Sequence, residues 1–254
     1  MCLILLAHRA HADYRLVVAA NRDEWFGRPT APAGFWSEAP DVFAGRDLEA
    51  NGTWLGITRT GRFAAVTNFR DPGSHRADAP SRGALVSAFL TSSVAPAGYL
   101  ESLHADAARY NGFSLLVGDA ASLLYFSNRE GTVRELSPGI YGLSNHLLDV
   151  PWPKVRVGKA RLAAHLDRNV NAESLLQLLD DTHAAPDEAL PSTGVGLEWE
   201  RQLSPLRIRA GEYGTRSSTA LLVSSGGEAS IVERSFSASG EQSGTVRERF
   251  RAAR

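Results

Sequence analysis

Apolar residues come in short blocks along this chain, and the spacing within each block predicts its element. Residues 2–8 and 15–22 are nearly continuous apolar runs joined by a polar stretch from His8 to Tyr14, the pattern of a hairpin buried on both faces. Pro29, Pro32 and Pro40 mark the segment from Gly27 to Pro40 as a surface loop. Asn51-Gly52, a dipeptide that tolerates positive φ, predicts a hairpin turn into a strand over 53–58, and Thr60-Gly61 turns that strand into another over 63–68. A polar loop over 70–81 then leads to apolar residues at three- and four-residue spacing, which predict helices over 83–91 and 96–110. Strands are expected at 113–117, 122–126, 133–136 and 140–143, helices at 154–166 and 172–180, and a closing hairpin of 215–223 and 229–236 turning at Gly226-Gly227.

The strands therefore arrive in hairpin groups separated by groups of helices. Strict alternation of strand and helix would imply a parallel doubly wound sheet. Grouping implies antiparallel sheets with the helices segregated outside them. The expected class is α+β, a four-layer αββα sandwich of two antiparallel sheets. No linker-like stretch divides residues 1–254, which read as one domain.

Charge narrows the partners. With 27 basic and 28 acidic residues and a net charge of −1, no global field attracts nucleic acid or an anionic membrane. Only two of the basic residues are lysines, Lys154 and Lys159. No apolar stretch approaches the roughly 18 residues of a transmembrane helix, and the run before His8-Arg9 is too short for a signal-peptide core. With one cysteine no internal disulfide can form. The expected location is cytoplasmic.

That single cysteine stands at position 2. Trimming of Met1 would leave Cys2 carrying both a thiol and a free α-amino group, so that nucleophile and base share one residue. The competing reading is that Cys2 is one more small hydrophobe at the head of a buried strand. If it is a nucleophile, candidate partners sit at strand ends. Asn21-Arg22-Asp23-Glu24 ends the strand expected to pair with that of Cys2: Arg22 would favour the thiolate and Asp23 could hold the α-ammonium. Neighbouring side chains on a regular strand point to opposite faces, so both cannot face Cys2 unless the strand ends before Arg22. Asn68 and Asn145 each close a strand and offer neutral oxyanion donors. Arg216 enters a buried strand and needs an anionic partner, such as a substrate or thiolate. His8 and His11 lack the third ligand and spacing of a metal site, and none is expected.

Several longer segments carry a family resemblance: Met1-Cys2, Asn21-Arg22-Asp23-Glu24, GTWLGI (52–57), VTNFRDP (66–72), YGLSNHLLD (141–149), LPSTGVGLEWERQLSP (190–205) and YGTRSSTALLV (213–223). Together they resemble the NRDE family, also called the Transport and Golgi Organisation 2 family, over essentially the whole chain. The resemblance implies a fold similar to the N-terminal nucleophile hydrolases. Within that fold, penicillin acylases and bile-salt hydrolases use an N-terminal cysteine, a nearby Arg and Asp, two asparagines and a late arginine. By position Cys2, Arg22, Asp23, Asn68, Asn145 and Arg216 resemble that set, with one departure: the early Arg and Asp adjoin here. The implied activity is hydrolysis of an amide or thioester acyl bond on a small-molecule substrate, with no cofactor required. The alternative, since the family is associated with Golgi organisation, acyl-CoA metabolism and haem trafficking, is a non-catalytic protein that binds haem or an acylated, hydrophobic ligand.

Overall fold

A computed structural model describes residues 2–168 and 170–252. The opening hairpin forms as β1 (Cys2–His8) and β2 (Tyr14–Trp25), and β2 runs past the apolar block to take in the Asn-Arg-Asp-Glu tetrad. With β10 (Gly139–Leu143), β12 (Tyr213–Ser224), β13 (Glu228–Phe236) and β14 (Gln242–Arg251) they make one antiparallel sheet in the order β10-β1-β2-β12-β13-β14, and the short β11 (Arg209–Ala210) pairs with β12. The second sheet is an antiparallel meander in chain order: β3 (Thr30–Phe35), β4 (Val42–Asp47), β5 (Leu55–Thr58), β6 (Phe63–Asn68), β7 (Phe113–Gly118), β8 (Leu123–Ser127) and β9 (Val133–Glu135).

The helices cover the outer faces. Ile4, Leu6, Val18 and Ala20 of the first sheet pack with Phe43, Ile57, Ala65 and Leu116 of the second. The alternate residues Leu3, Leu5, Val17 and Ala19 pack beneath α3 (Pro153–Leu166) and α4 (Ala172–Leu179). The far face of the second sheet lies against α1 (Gly83–Thr91) and α2 (Pro96–Asp106). Strands sandwiched this way are apolar on both faces, which is why the first block reads as a continuous run rather than an alternation. The layers are those expected of an αββα sandwich.

Three elements differ from the sequence reading. The proline-bearing segment after Gly27 contains β3, an edge strand with a register shift between Ala31 and Gly34. Pro32 falls inside that irregularity, where no ladder N–H is required of it. Asn51-Gly52 lies within a longer connection between β4 and β5, with Asn51 alone at positive φ (55°). β14 escapes the pattern because it is a charged edge strand whose buried anchor is Phe250.

Gly52 is needed for a close approach. A Cβ there would lie 2.5 Å from the Gly83 carbonyl carbon and 2.9 Å from the Ala84 nitrogen, backbone that begins α1 and cannot swing aside. Gly52→Ala is expected to cost about 1–3 kcal/mol, and a thermal melt should show Tm falling by roughly 3–10 °C.

Candidate functional site

Three strand ends meet at one corner of the sandwich. Cys2 opens β1, and its backbone carbonyl accepts from Ser144 Oγ (3.3 Å), just beyond the end of β10. The next residue, Asn145, is fully buried and donates through Nδ2 to the Asn68 carbonyl (3.0 Å) at the end of β6, while the Arg70 N–H donates to the Asn145 carbonyl (2.8 Å). Asn145 thus ties the two sheets together behind the site. Asn68 lines a pocket of about 420 Å³ that opens in front of Cys2 and is walled by Arg22, Glu24, Trp54 and Arg82.

Strand register settles which face each member of the tetrad takes. Cys2 pairs with Arg22, and by alternation both side chains share the inter-sheet face with Ile4 and Ala20. The Arg22 guanidinium stacks over the Trp54 ring at 4.3 Å, donates to Thr30 Oγ1 (3.1 Å) and has Asp47 at 3.9 Å. The strand stays regular to Trp25, so Asn21 and Asp23 point the other way, beneath the helices. Asn21 Nδ2 donates to the carbonyls of Leu179 (3.2 Å) and Leu206 (2.8 Å). Asp23 Oδ1 accepts from Thr215 Oγ1 (2.6 Å), and the Tyr213 hydroxyl donates to the Asp23 carbonyl (3.2 Å).

The register of β12 against β2 slips between Thr215 and Ser217, and Arg216 is the extra residue. Its Nη1 donates to the carbonyls of Trp25 (2.8 Å), Phe26 (3.1 Å) and Arg28 (2.9 Å). Arg216 therefore pins the β2–β3 turn and stands outside the residues lining the pocket. The structure brings Cys2, Arg22, Asp23, Asn68 and Asn145 to one corner, with Arg216 holding the turn beside it.

Beneath Asp23 lies a buried charge cluster that the sequence reading did not pick out. Lys154, second residue of α3, is 2% exposed, and its Nζ has no hydrogen-bond partner among the described residues. Burial lowers it to about 8, with Asp23 and Cys2 among the groups that work against the fall. The Arg70 guanidinium pairs with Glu200 of α5 (Leu197–Leu203) at 2.6 Å and stacks over Trp152 at 4.6 Å. Glu200 Oε1 also accepts from the Thr193 N–H (2.9 Å) and hydroxyl (2.6 Å). Burial pushes the Asp23 carboxyl up, opposed chiefly by Lys154 and also by Thr215 and Arg70. Burial likewise raises the Cys2 thiol, while Arg22 and a hydrogen bond from the Asp23 backbone pull it down.

Of the histidines weighed as ligands, His8 is buried and held neutral, lowered to about 4 first by burial and then by Arg9 and Arg15. His11 Nδ1 accepts from the Asp13 N–H at 3.1 Å. Among the described residues no helix is long and apolar enough to cross a membrane.

Cys2, Arg22, Asp23, Trp54, Asn68, Asn145 and Thr215 all lie in segments that carry the family resemblance, and the family model for Transport and Golgi organisation 2 matches residues 1–238. The chain belongs to the Transport and Golgi organisation 2 family. It is 38% identical over 243 residues to the Transport and Golgi organization protein 2 homolog of Bos taurus, covering 88% of this chain and 87% of the relative. To the Transport and Golgi organization protein 2 of Drosophila melanogaster it is 32% identical over 264 residues, covering 93% and 92%. Among solved structures it is similar to a Caenorhabditis elegans N-acylethanolamine-hydrolyzing acid amidase ortholog, with a TM-score of 0.53 at 11% identity, covering 87% of this chain and 92% of that one. Identity that low speaks for the fold alone, and the fold is N-terminal nucleophile hydrolase-like.

Proposed function

We propose that this protein hydrolyses an amide or thioester acyl bond, with Cys2 as the nucleophile once Met1 has been removed. Met1 itself lies outside the described residues. The observation that carries the reading is that the only thiol of the chain opens onto the pocket while sharing a strand face with Arg22. In this scheme the α-amino group of Cys2 takes the thiol proton. Asp23 receives the α-ammonium, and the nearby cation Lys154 keeps the amine from holding its proton too tightly. The sulfur attacks the acyl carbonyl, the Asn68 amide stabilises the oxyanion, and the leaving amine or thiol departs with the proton held by the α-amine. Water then hydrolyses the acyl-cysteine. Asn145 acts through Asn68, which it positions.

The test is intact mass on native material. Loss of Met1 is expected, followed by a covalent acyl adduct on the wild-type protein after incubation with activated thioesters and none on Cys2→Ala. If Met1 is retained in most molecules, or if turnover survives in Cys2→Ala, the nucleophile reading fails. Haemin absorbance measured on both proteins then tests the carrier reading on the same fold.

A further inference from the structure

Four arginines line the pocket in front of Cys2, and their charges are not equally balanced. Arg28 is held by Asp47 (2.8 Å) and Glu49 (2.6 Å). Arg22 has Trp54 beneath it and Asp47 nearby. Arg82 and Arg76 make no ion pair with a carboxylate of the described residues. Arg82 Nη1 donates to the Gly112 carbonyl at 3.3 Å, and Arg76 Nη2 donates to the carbonyls of Ala108 (2.9 Å) and Arg109 (2.8 Å). A carbonyl satisfies an N–H but leaves the guanidinium charge uncancelled.

Arg82 also stands close to the chemistry. Burial lowers it from the ordinary arginine value while Glu24 and Cys2 act the other way, which puts the guanidinium within electrostatic reach of the sulfur. Arg82 immediately precedes α1, whose positive end adds to the field there. The apolar part of the lining is limited to Trp54, Val66 and small alanine and proline side chains. An acyl chain with no charge of its own would leave the half-buried Arg82 guanidinium facing hydrocarbon.

We propose that the Cys2 pocket takes an acyl donor bearing an anionic group, a carboxylate or a phosphate, which pairs with Arg82 and, at the rim, with Arg76. This rests on the reading of Cys2 as the nucleophile and adds the class of substrate. The step balances as before: a carbon–sulfur bond to Cys2 forms, the bond from the carbonyl carbon to the leaving amine or thiol breaks, the leaving group takes the proton lost by Cys2, and water frees the acid. Arg82 is thereby a specificity residue that touches substrate away from the reacting atoms.

The test compares charged thioesters with a neutral one of similar size, on the full chain with Met1 removed. The neutral reference is S-acetyl-3-mercaptopropionamide. Its charged counterparts are S-acetyl-3-mercaptopropionate, S-acetyl-2-mercaptoethylphosphonate and, for a charge on the acyl side, S-succinyl-3-mercaptopropionamide. Acylation of Cys2 is followed by intact mass, and the readout is the ratio of charged to neutral rates within one protein, so a general loss of reactivity cancels. A charge-assisted hydrogen bond of about 1.5–3 kcal/mol corresponds to a preference of roughly 10- to 150-fold. The wild type is expected to show it for at least one charged probe, and carboxylate and phosphonate arms tell the two anions apart. Arg82→Gln is expected to bring that ratio to within about threefold of unity, and Arg82→Lys to keep part of it. A wild-type ratio near unity for every charged probe, or a preference unaltered by Arg82→Gln, overturns the proposal while leaving Cys2 as nucleophile. Absence of both an adduct and thiol release with every probe takes down the hydrolase reading and this proposal with it.

Discussion

Asp23→Asn is expected to slow acylation of Cys2 by about 10²- to 10⁴-fold, the usual worth of a positioned base, because the α-amine loses the charge that holds its protonated form. The substitution preserves shape: an amide oxygen can still accept from Thr215 Oγ1, now at 2.6 Å from the carboxylate. What it removes is the negative charge that receives the α-ammonium and faces Lys154. The pH profile separates this from damage to the fold. Lys154, lowered to about 8 by burial, is largely charged at neutral pH. A positive charge disfavours the protonated amine and favours the thiolate. Removing it in Lys154→Met raises both pKa values and so moves the acid limb of the acylation profile to higher pH. Arg70 and Glu200 are the other charges facing Lys154, and both stay in place in that variant. A rate loss below tenfold in a folded Asp23→Asn protein, or an acid limb unmoved in Lys154→Met, would remove the amine from the scheme. Linkage gives a second handle. Because Lys154 titrates lower in the folded protein than in the unfolded chain, the unfolded state binds more protons between about pH 8 and the ordinary lysine value of 10.5, and this group's contribution to stability rises with pH across that window.

Layer order was legible in the sequence because runs buried on both faces and grouped hairpins are direct consequences of a two-sheet core. The position of Cys2 and the tetrad at the end of β2 were legible for the same reason: both sit where apolar runs meet polar residues. Period-two reasoning also posed the right question about Arg22 and Asp23. The register answers that the strand continues and that the pair straddles it, one residue toward the pocket and the other toward the helices. Arg216 read as a charge entering a buried strand, but a bulge turns it toward three backbone carbonyls, and a bulge leaves no mark in the hydrophobic pattern. The cluster of Lys154, Arg70 and Glu200 comes from three segments far apart in the chain, so no local spacing could assemble it. One signal was available: in a chain that otherwise uses arginine, Lys154 and Lys159 are the only lysines. Lys159 pairs with Asp149 at 2.6 Å, whereas Lys154 is buried beside Asp23. Lysine loses its proton under burial far more readily than arginine, so a buried site that needs an adjustable cation calls for lysine.

Glu200→Gln is expected to destabilise the protein by about 3–5 kcal/mol, the cost of leaving a buried charge without its partner. Arg70 and Glu200 are each 4% exposed at the side chain and bridge the segment after β6 to α5. The Thr193 hydroxyl and N–H both depend on Glu200 Oε1, and an amide there keeps one acceptor but loses the charge assistance. For a chain of this length a loss of that size lowers Tm by roughly 6–20 °C. The consequence reaches the site through the backbone, since the Arg70 N–H holds the Asn145 carbonyl and Asn145 holds Asn68. The paired variant Arg70→Met/Glu200→Leu removes both charges at once and is expected to recover much of the stability. The charges around Lys154 are not restored with it: Arg70 holds its pKa down and Glu200 raises it, Arg70 the more strongly, so with both gone the Lys154 pKa should still climb. Recovery of Tm with the acylation profile still displaced is the expected result. A single Glu200→Gln protein that melts within about 2 °C of wild type would show that the pair contributes little to the fold and that its position beneath the site is incidental.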